Sequence, residues 1–154
     1  MRAILRICLY FWGVSKLLLE DYADLPDYMT TEELDKHFTE LIDFAGKVSE
    51  VNNEKISEAL YELSDRQWHT YEILSDILKE KIEDWINKSW NTKSPEIIEN
   101  ITSIIGRLGL AKSFELVKKT INEDISNEIK EILETTIKEI NGHIDDPYYS
   151  MKKP

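Results

Sequence analysis

The stretch that most constrains the fold of this chain is residues 94–142, because three short amphipathic helices follow one another there with their ends marked in the sequence. Ser94 followed by Pro95 is typical of a helix start, since the serine side chain can cap free backbone N–H groups and proline suits the first turn. Gly109 and Gly142 are the residue type that most often ends a helix. Each helix has an apolar stripe too narrow for it to be stable alone. We therefore predict that the three helices pack on one another as antiparallel neighbours.

The composition extends this expectation to the whole chain. At 154 residues it has the size of one domain, and we predict a single domain over residues 1–154. Five glycines and four prolines leave little material for the turns of a β fold. The sequence therefore predicts an all-α fold, an irregular bundle of six or seven helices.

Two earlier helices also have marked starts. Thr30 and Glu33 form a capping box, and Asn52 precedes a short helix. A second capping-box pattern, from Ser64 to Gln67, predicts that the longest helix begins there and continues to about residue 90. Three of the four tryptophans lie in that helix, and we interpret them as core packing in preference to a ligand-binding box.

The first 19 residues allow two interpretations. Arginines followed by an apolar run resemble a signal peptide, but Lys16 interrupts the run and no small-residue cleavage site precedes Glu20. A helix that is apolar nearly all round is more typical of a bundle centre, so we predict that residues 3–18 are buried. The single cysteine, Cys8, cannot form an internal disulfide, which favours a reducing, cytoplasmic location.

Charge is concentrated in one part of the chain. The net charge is −11, and residues 20–50 contribute −8 of it, from ten acidic residues and two lysines. A field of this sign disfavours nucleic acid and anionic membrane as partners, and it speeds encounter with a basic protein. The alternative is that the acidic surface only keeps the protein soluble.

No motif for catalysis is present in the sequence. His37 with Glu40, and His69 with Glu72, have a spacing that would place each pair on one helical face near a shared ion. Carboxylate-bridged metal bundles use the opposite order, Glu-x-x-His, so a metal-binding bundle is kept only as a minor alternative. No nucleophile elbow or phosphate-binding glycine loop is found, and we expect neither enzyme activity nor a cofactor.

The run of residues 97–140 resembles HEAT-type repeats. Their pattern is an apolar helix ending in Leu-Gly, a short helix with spaced aliphatic residues, an acidic turn and another aliphatic helix. Leu108-Gly109, Phe114 with Val117, and the acidic turn at 122–124 occupy those places. The resemblance implies stacked antiparallel helix pairs over about residues 64–142, followed by a tail at 143–154. The alanines typical of HEAT helices are replaced by isoleucine, threonine and serine, so we expect irregular stacking.

More narrowly, WHTYEILSDILKE at 68–80 and the closing DPYYSMKK resemble small HEAT-like immunity proteins of bacterial polymorphic-toxin and contact-dependent-inhibition systems. The similarity covers about residues 64–152. It implies a non-enzymatic cytoplasmic protein that binds and neutralises a cognate toxin domain, with a basic nuclease as the expected type. A helical scaffold or adaptor protein is the main alternative.

A partner-binding surface can be predicted from charge and exposed aromatics. An inhibitor of a basic cleft must present acids to it, and a few desolvated pairs with an aromatic anchor are expected to dominate affinity. The candidate residues are Asp35, Asp43, Asp76, Glu80, Glu83, Tyr148 and Tyr149. For the two tyrosines the alternative is that they pin the tail across the last helix pair.

Overall fold

A computed structural model describes residues 19–47, 52–140 and 142–148 of the chain. These residues contain no strand, and the predicted all-α fold is confirmed. A 3₁₀ helix, Leu19–Asp24, precedes six α-helices: α1 (Thr31–Lys47), α2 (Asn53–Trp68), α3 (Asp76–Ser89), α4 (Pro95–Leu108), α5 (Ala111–Thr120) and α6 (Asn127–Ile140). The predicted burial of residues 3–18 falls outside the described residues, as does Cys8.

The marked helix ends in residues 94–109 are confirmed. The Ser94 hydroxyl accepts a hydrogen bond from the Ile97 N–H at 3.3 Å, and Pro95 is the first residue of α4. At the other end Gly109 has φ 69°, and its N–H donates to the Ile105 carbonyl at 3.0 Å. Only glycine adopts that left-handed conformation without steric cost, so the helix ends there.

The capping box at the start of α1 is also confirmed. The Thr30 hydroxyl accepts from the Glu33 N–H at 3.2 Å, and the Glu33 carboxylate accepts from the Thr30 N–H at 3.1 Å. Asn52 likewise caps α2, because its side chain accepts from the N–H groups of Glu54 and Lys55. Each cap satisfies backbone donors that have no partner inside the helix.

The prediction of one long helix that starts at the Ser64–Gln67 capping box and continues to about residue 90 is wrong. The chain stays helical through Ser64, whose hydroxyl donates to the Tyr61 carbonyl at 2.7 Å and so does not cap a new helix. Helix α2 ends at Trp68, and α3 starts after Ser75, which accepts from the Leu78 N–H at 3.4 Å. A serine can bond to the carbonyl three residues back as readily as it caps a helix, and the pattern alone does not separate the two.

Alternate helices pack side by side. α1 packs against α3 and α3 against α5, while α2 packs against α4 and α4 against α6. Contacts of α1 with α2, and of α5 with α4 and α6, join the two rows. The odd-numbered helices therefore form one layer and the even-numbered helices the other, which is how helix pairs stack in helical repeats.

A buried arginine holds the end of the 3₁₀ helix and the two residues that follow it. The Arg66 side chain is 4% exposed and donates to the carbonyls of Ala23, Leu25 and Pro26, and it pairs with the Glu62 carboxylate. A buried guanidinium is tolerated only when its donors are satisfied. This contact fixes residues 23–26 against α2.

Candidate protein-binding surface

Exposed apolar side chains are concentrated where α2 is joined to α3. Four large apolar side chains among the described residues are more than half exposed: Tyr28 (79%), Tyr71 (63%), Ile73 (52%) and Ile77 (70%). Three of the four fall within seven residues, and we call Tyr71, Ile73 and Ile77 the 71–77 patch. Single exposed apolar residues are ordinary on protein surfaces, whereas a cluster of them marks a candidate binding site.

The loop that carries the patch is fixed to the core by Leu74. That side chain is 3% exposed, while Ile73 before it and Ser75 after it face solvent. Ile77 lies in the first turn of α3, next to the buried Leu78. Because one residue rotates a helix by about 100°, Ile77 is turned away from the core that Leu78 enters.

Tyr71 has an unusual backbone conformation. Its φ is 61°, and it is the one non-glycine residue with positive φ in the described parts of the chain. Residues other than glycine, asparagine and aspartate rarely adopt this region of backbone conformation, because it costs them about 1–2 kcal/mol. Such a conformation persists when the surrounding structure determines it.

Hydrogen bonds to the backbone on either side of Tyr71 determine this conformation. The Tyr148 hydroxyl lies 3.1 Å from the Glu72 carbonyl and 3.2 Å from the Gln67 carbonyl, so its single proton is shared between them. The Gln67 side-chain amide donates to the same Glu72 carbonyl at 2.9 Å, and the Thr70 hydroxyl accepts from the Glu72 N–H at 3.1 Å. The backbone on both sides of Tyr71 is thereby held.

Aromatic rings complete this support. The Tyr148 ring centroid is 5.6 Å from that of Tyr71 and 6.2 Å from that of Trp68. The Trp68 indole N–H donates to the Pro147 carbonyl at 3.4 Å, which fixes the chain just before Tyr148. The tail is thus pinned to the end of α2 and the following loop. The predicted position across the last helix pair is wrong.

Tyr148 itself is not exposed. It keeps only 6% of its surface, and burial raises the pKa of its phenol; the Thr70 hydrogen bond lowers it and the nearby Glu72 carboxylate raises it. Its predicted role as an anchor for a partner would need the tail to leave this position, whereas its role in pinning the tail is observed. Tyr149 lies outside the described residues.

Acids form a stripe along α3. Exposed carboxylates recur every four residues, at Asp76, Glu80 and Asp84. The buried Leu78 and Ile82 each lie two residues after one of these acids. A separation of two residues corresponds to a rotation of about 200° around the helix axis. The stripe therefore lies opposite the core and beside Ile77.

Glu83, also among the predicted binding residues, has an internal partner. Its carboxylate accepts the Ser113 N–H at 3.0 Å, in the first turn of α5. The residue at the N-cap of α5 is Leu110, which makes no side-chain cap. Glu83 supplies the missing acceptor from the neighbouring helix, and its negative charge suits the positive end of the helix dipole.

The predicted acids of α1 differ from each other in exposure. Asp43 is exposed and lies nine residues beyond the buried Leu34, a rotation of about 180°. Asp35 is half-buried, and burial, followed by the nearby Glu32, raises the pKa of its carboxyl. Because α1 and α3 lie in one layer, Asp43 and the α3 stripe face the same side of the molecule.

The histidines do not build an evident metal centre. No group of three or more His, Cys, Asp and Glu side chains that could hold an ion occurs within residues 19–47, 52–140 and 142–148. His69 lies past the end of α2, and its Nδ1 is 2.7 Å from the Asp65 carbonyl, so it does not share a helical face with Glu72. The ring of His37 packs edge-on against Tyr22 with centroids 6.2 Å apart.

A cleft of about 540 Å³ lies beside the tail, between α2, α4 and α6. Two of its charged side chains, Arg107 and Asp65, form an ion pair. Arg107 lies 3.6 Å from the Asp65 carboxylate, and its guanidinium is 4.4 Å from the Tyr61 ring centroid. This arrangement stabilises the contact between α2 and α4.

Sequence reasoning missed the 71–77 patch because Tyr71 and Ile77 fit the apolar period of one long helix. A signal for the break was present. Ser75 followed by Asp76 is a helix-start signature, with a capping serine and an acid in the first turn. Reading it would have placed residues 69–75 in a loop, where an isoleucine and a tyrosine are out of keeping with ordinary loop composition.

Comparison with known proteins gives no match to this chain among protein families, curated proteins or solved structures. None of the helices in the described residues is long and apolar enough to cross a membrane.

Proposed function

We propose that this protein is a cytoplasmic immunity protein that binds a cognate bacterial toxin domain, a basic nuclease, and neutralises it without catalysis. The observation that carries the proposal is the outer face of the odd-numbered layer, where the α3 acids and the exposed 71–77 patch adjoin. The resemblance of residues 64–152 to HEAT-like immunity proteins supports it as well.

The electrostatics favour a basic protein as the partner. A nuclease domain needs a positive cleft to hold the phosphate backbone, and an inhibitor that covers the cleft gains association rate when it presents acids. The stripe on α3, with Asp43 of α1 on the same side of the molecule, presents such acids. Acids at the rim of an interface act mainly on the association rate, and desolvated apolar contacts supply most of the affinity.

The experiment begins by sequencing the genes on either side of this one, and a toxin reading frame found there supplies the nuclease domain against which the full chain is measured. The variant Asp76→Lys, Glu80→Lys, Asp84→Lys reverses the stripe and leaves Glu83 in place, since Glu83 caps α5. We expect the association rate constant to fall at least about tenfold at low salt, and its dependence on salt to weaken.

The matched control reverses three exposed acids on α6, in the other layer: Glu128→Lys, Glu131→Lys, Glu134→Lys. Both variants change the net charge by the same amount, and both begin in the first turn of a helix. Equal association rates for the two variants would remove α3 as the binding face. A wild-type chain that neither binds the toxin domain nor blocks its nuclease activity would refute the proposed function.

A further inference from the structure

We propose that Tyr71 is the main anchor of the partner interface, with Ile73 and Ile77 beside it, and that it enters an apolar pocket rimmed by lysine or arginine on the partner. This inference rests on the proposed function and adds the site of recognition. The partner is thereby described by its chemistry: an apolar depression next to a positive surface.

The first argument is the combination of exposure and rigidity. Tyr71 is 63% exposed, yet its backbone is held by the bonds to Glu72 and its ring lies against Tyr148. A side chain that is already fixed loses little conformational entropy on binding, so more of its contact energy appears as affinity. Tyrosine is also among the residue types enriched at the energetic centres of interfaces.

The second argument is the unfavourable conformation. A tyrosine at φ 61° is less stable than a glycine would be at that position. The chain therefore holds a large exposed ring in place against its backbone preference. Burying that ring in a partner gives the conformation a function that folding alone does not supply.

The third argument is the charge around the patch. Glu72, Asp76 and Glu80 are exposed within or beside it. One lysine, Lys81, is exposed one turn after Ile77, so that exposed acids outnumber exposed bases there three to one. A pocket with lysines or arginines at its edge matches an apolar centre with acids around it. A second copy of this chain does not match, because each copy has a net charge of −11 and the two acidic faces would repel.

The test is the variant Tyr71→Gly, measured as the dissociation constant for the toxin domain. Glycine accepts the left-handed conformation, so the loop keeps its shape while the ring is removed. We expect at least about 30-fold weaker binding, with a melting temperature within about 4 °C of wild type. Ile77→Gln keeps α3 and removes apolar surface, and we expect about fivefold weaker binding from the lost burial.

Tyr28→Ala is the matched control, because it removes a tyrosine that is 79% exposed and is not one of the three patch residues; its ring lies 5.8 Å from that of His69, at the edge of the loop. We expect it to change the dissociation constant less than about threefold, as for most residues outside the energetic centre. Sedimentation of the wild-type chain alone tests self-association, and a dimer abolished by Tyr71→Gly would overturn the proposal.

These outcomes distinguish a failure of the proposed anchor from a failure of the proposed function. If Tyr71→Gly and Ile77→Gln each bind with the wild-type dissociation constant, Tyr71 is not the anchor, and the proposed immunity function is unaffected. If Tyr28→Ala raises the dissociation constant as much as Tyr71→Gly does, the proposed anchor is also overturned. The affinity would then not be centred on the patch. No binding by the wild-type chain would refute the proposed function and with it the anchor.

Discussion

Helix α4 and the loop between α2 and α3 are shaped by different means. α4 begins and ends at its own residues, Ser94 and Gly109, whose bonds reach no further than four residues along the chain. The loop at 69–75 is supported by Tyr148, which bonds to Glu72 across 76 residues of sequence. Local signals therefore mark α4 before any tertiary structure forms. The loop that carries the exposed patch needs the tail in place.

The largest effect is expected at Gly109, where the end of α4 meets the tail that supports the loop. An added Cβ would lie 2.9 Å from the Ile144 carbonyl oxygen of the tail, at a residue with φ 69°. Gly109→Ala should lower the free energy of unfolding by about 2 kcal/mol or more, because it combines left-handed strain with a clash against backbone. Urea unfolding followed by circular dichroism gives the measurement.

Gly46→Ala is the control for that variant. Gly46 lies inside α1, and nothing is within 4 Å of its hypothetical Cβ. Alanine there should stabilise the protein by up to about 1 kcal/mol, because glycine is the poorer helix former. A Gly109→Ala protein as stable as wild type would show that the tail does not lie against the end of α4.

The second prediction concerns the support of the loop. Tyr148→Phe keeps the ring beside Trp68 and Tyr71 but removes the hydroxyl shared by two carbonyls. We expect a loss of about 1–1.5 kcal/mol in the free energy of unfolding. Hydrogen exchange should rise at the Thr70 and Tyr71 amides, whose bonds form the turn. Unchanged exchange there would mean that the tail does not support the loop.

These differences explain which parts of the structure the sequence could predict. The ends of α4, the capping box at Thr30 and the cap at Asn52 depend on residues within four positions, and all were predicted. The end of α2 was not predicted, because the sequence around Ser64, which lies inside a helix, matches the pattern of a capping serine. Glu83 was read as a free acid because its acceptor role depends on α5 packing beside α3. The 71–77 patch was missed for a different reason: Tyr71 and Ile77 fit the apolar period of one long helix, although Ser75-Asp76 marks a helix start within it.

Ser94→Ala is the third prediction and tests the local region. Loss of the bond to the Ile97 N–H should lower the free energy of unfolding by about 1 kcal/mol. Hydrogen exchange should rise in the first turn of α4 and stay unchanged at Thr70 and Tyr71. If exchange in the loop rose as well, α4 and the loop would not be independent, and the contrast between them would fail.

The smallest effect follows from the Tyr148 phenol. Burial raises its pKa above the usual tyrosine value of about 10, so the folded state keeps its proton where the unfolded state has lost it. The stabilising contribution is present below pH 10 and is lost as the pH rises through the raised pKa. At pH 10.5 the loss reaches at most about 0.8 kcal/mol. The difference in the free energy of unfolding between wild type and Tyr148→Phe should therefore narrow by up to that amount between pH 8 and pH 10.5.

The pKa of Tyr22 is also raised by burial, so the difference between wild type and Tyr22→Phe should narrow over the same pH range. Ser94→Ala removes no titrating group, so its gap to wild type should stay constant. A gap for Tyr148→Phe that is equally constant would show that the phenol is not buried in the folded protein.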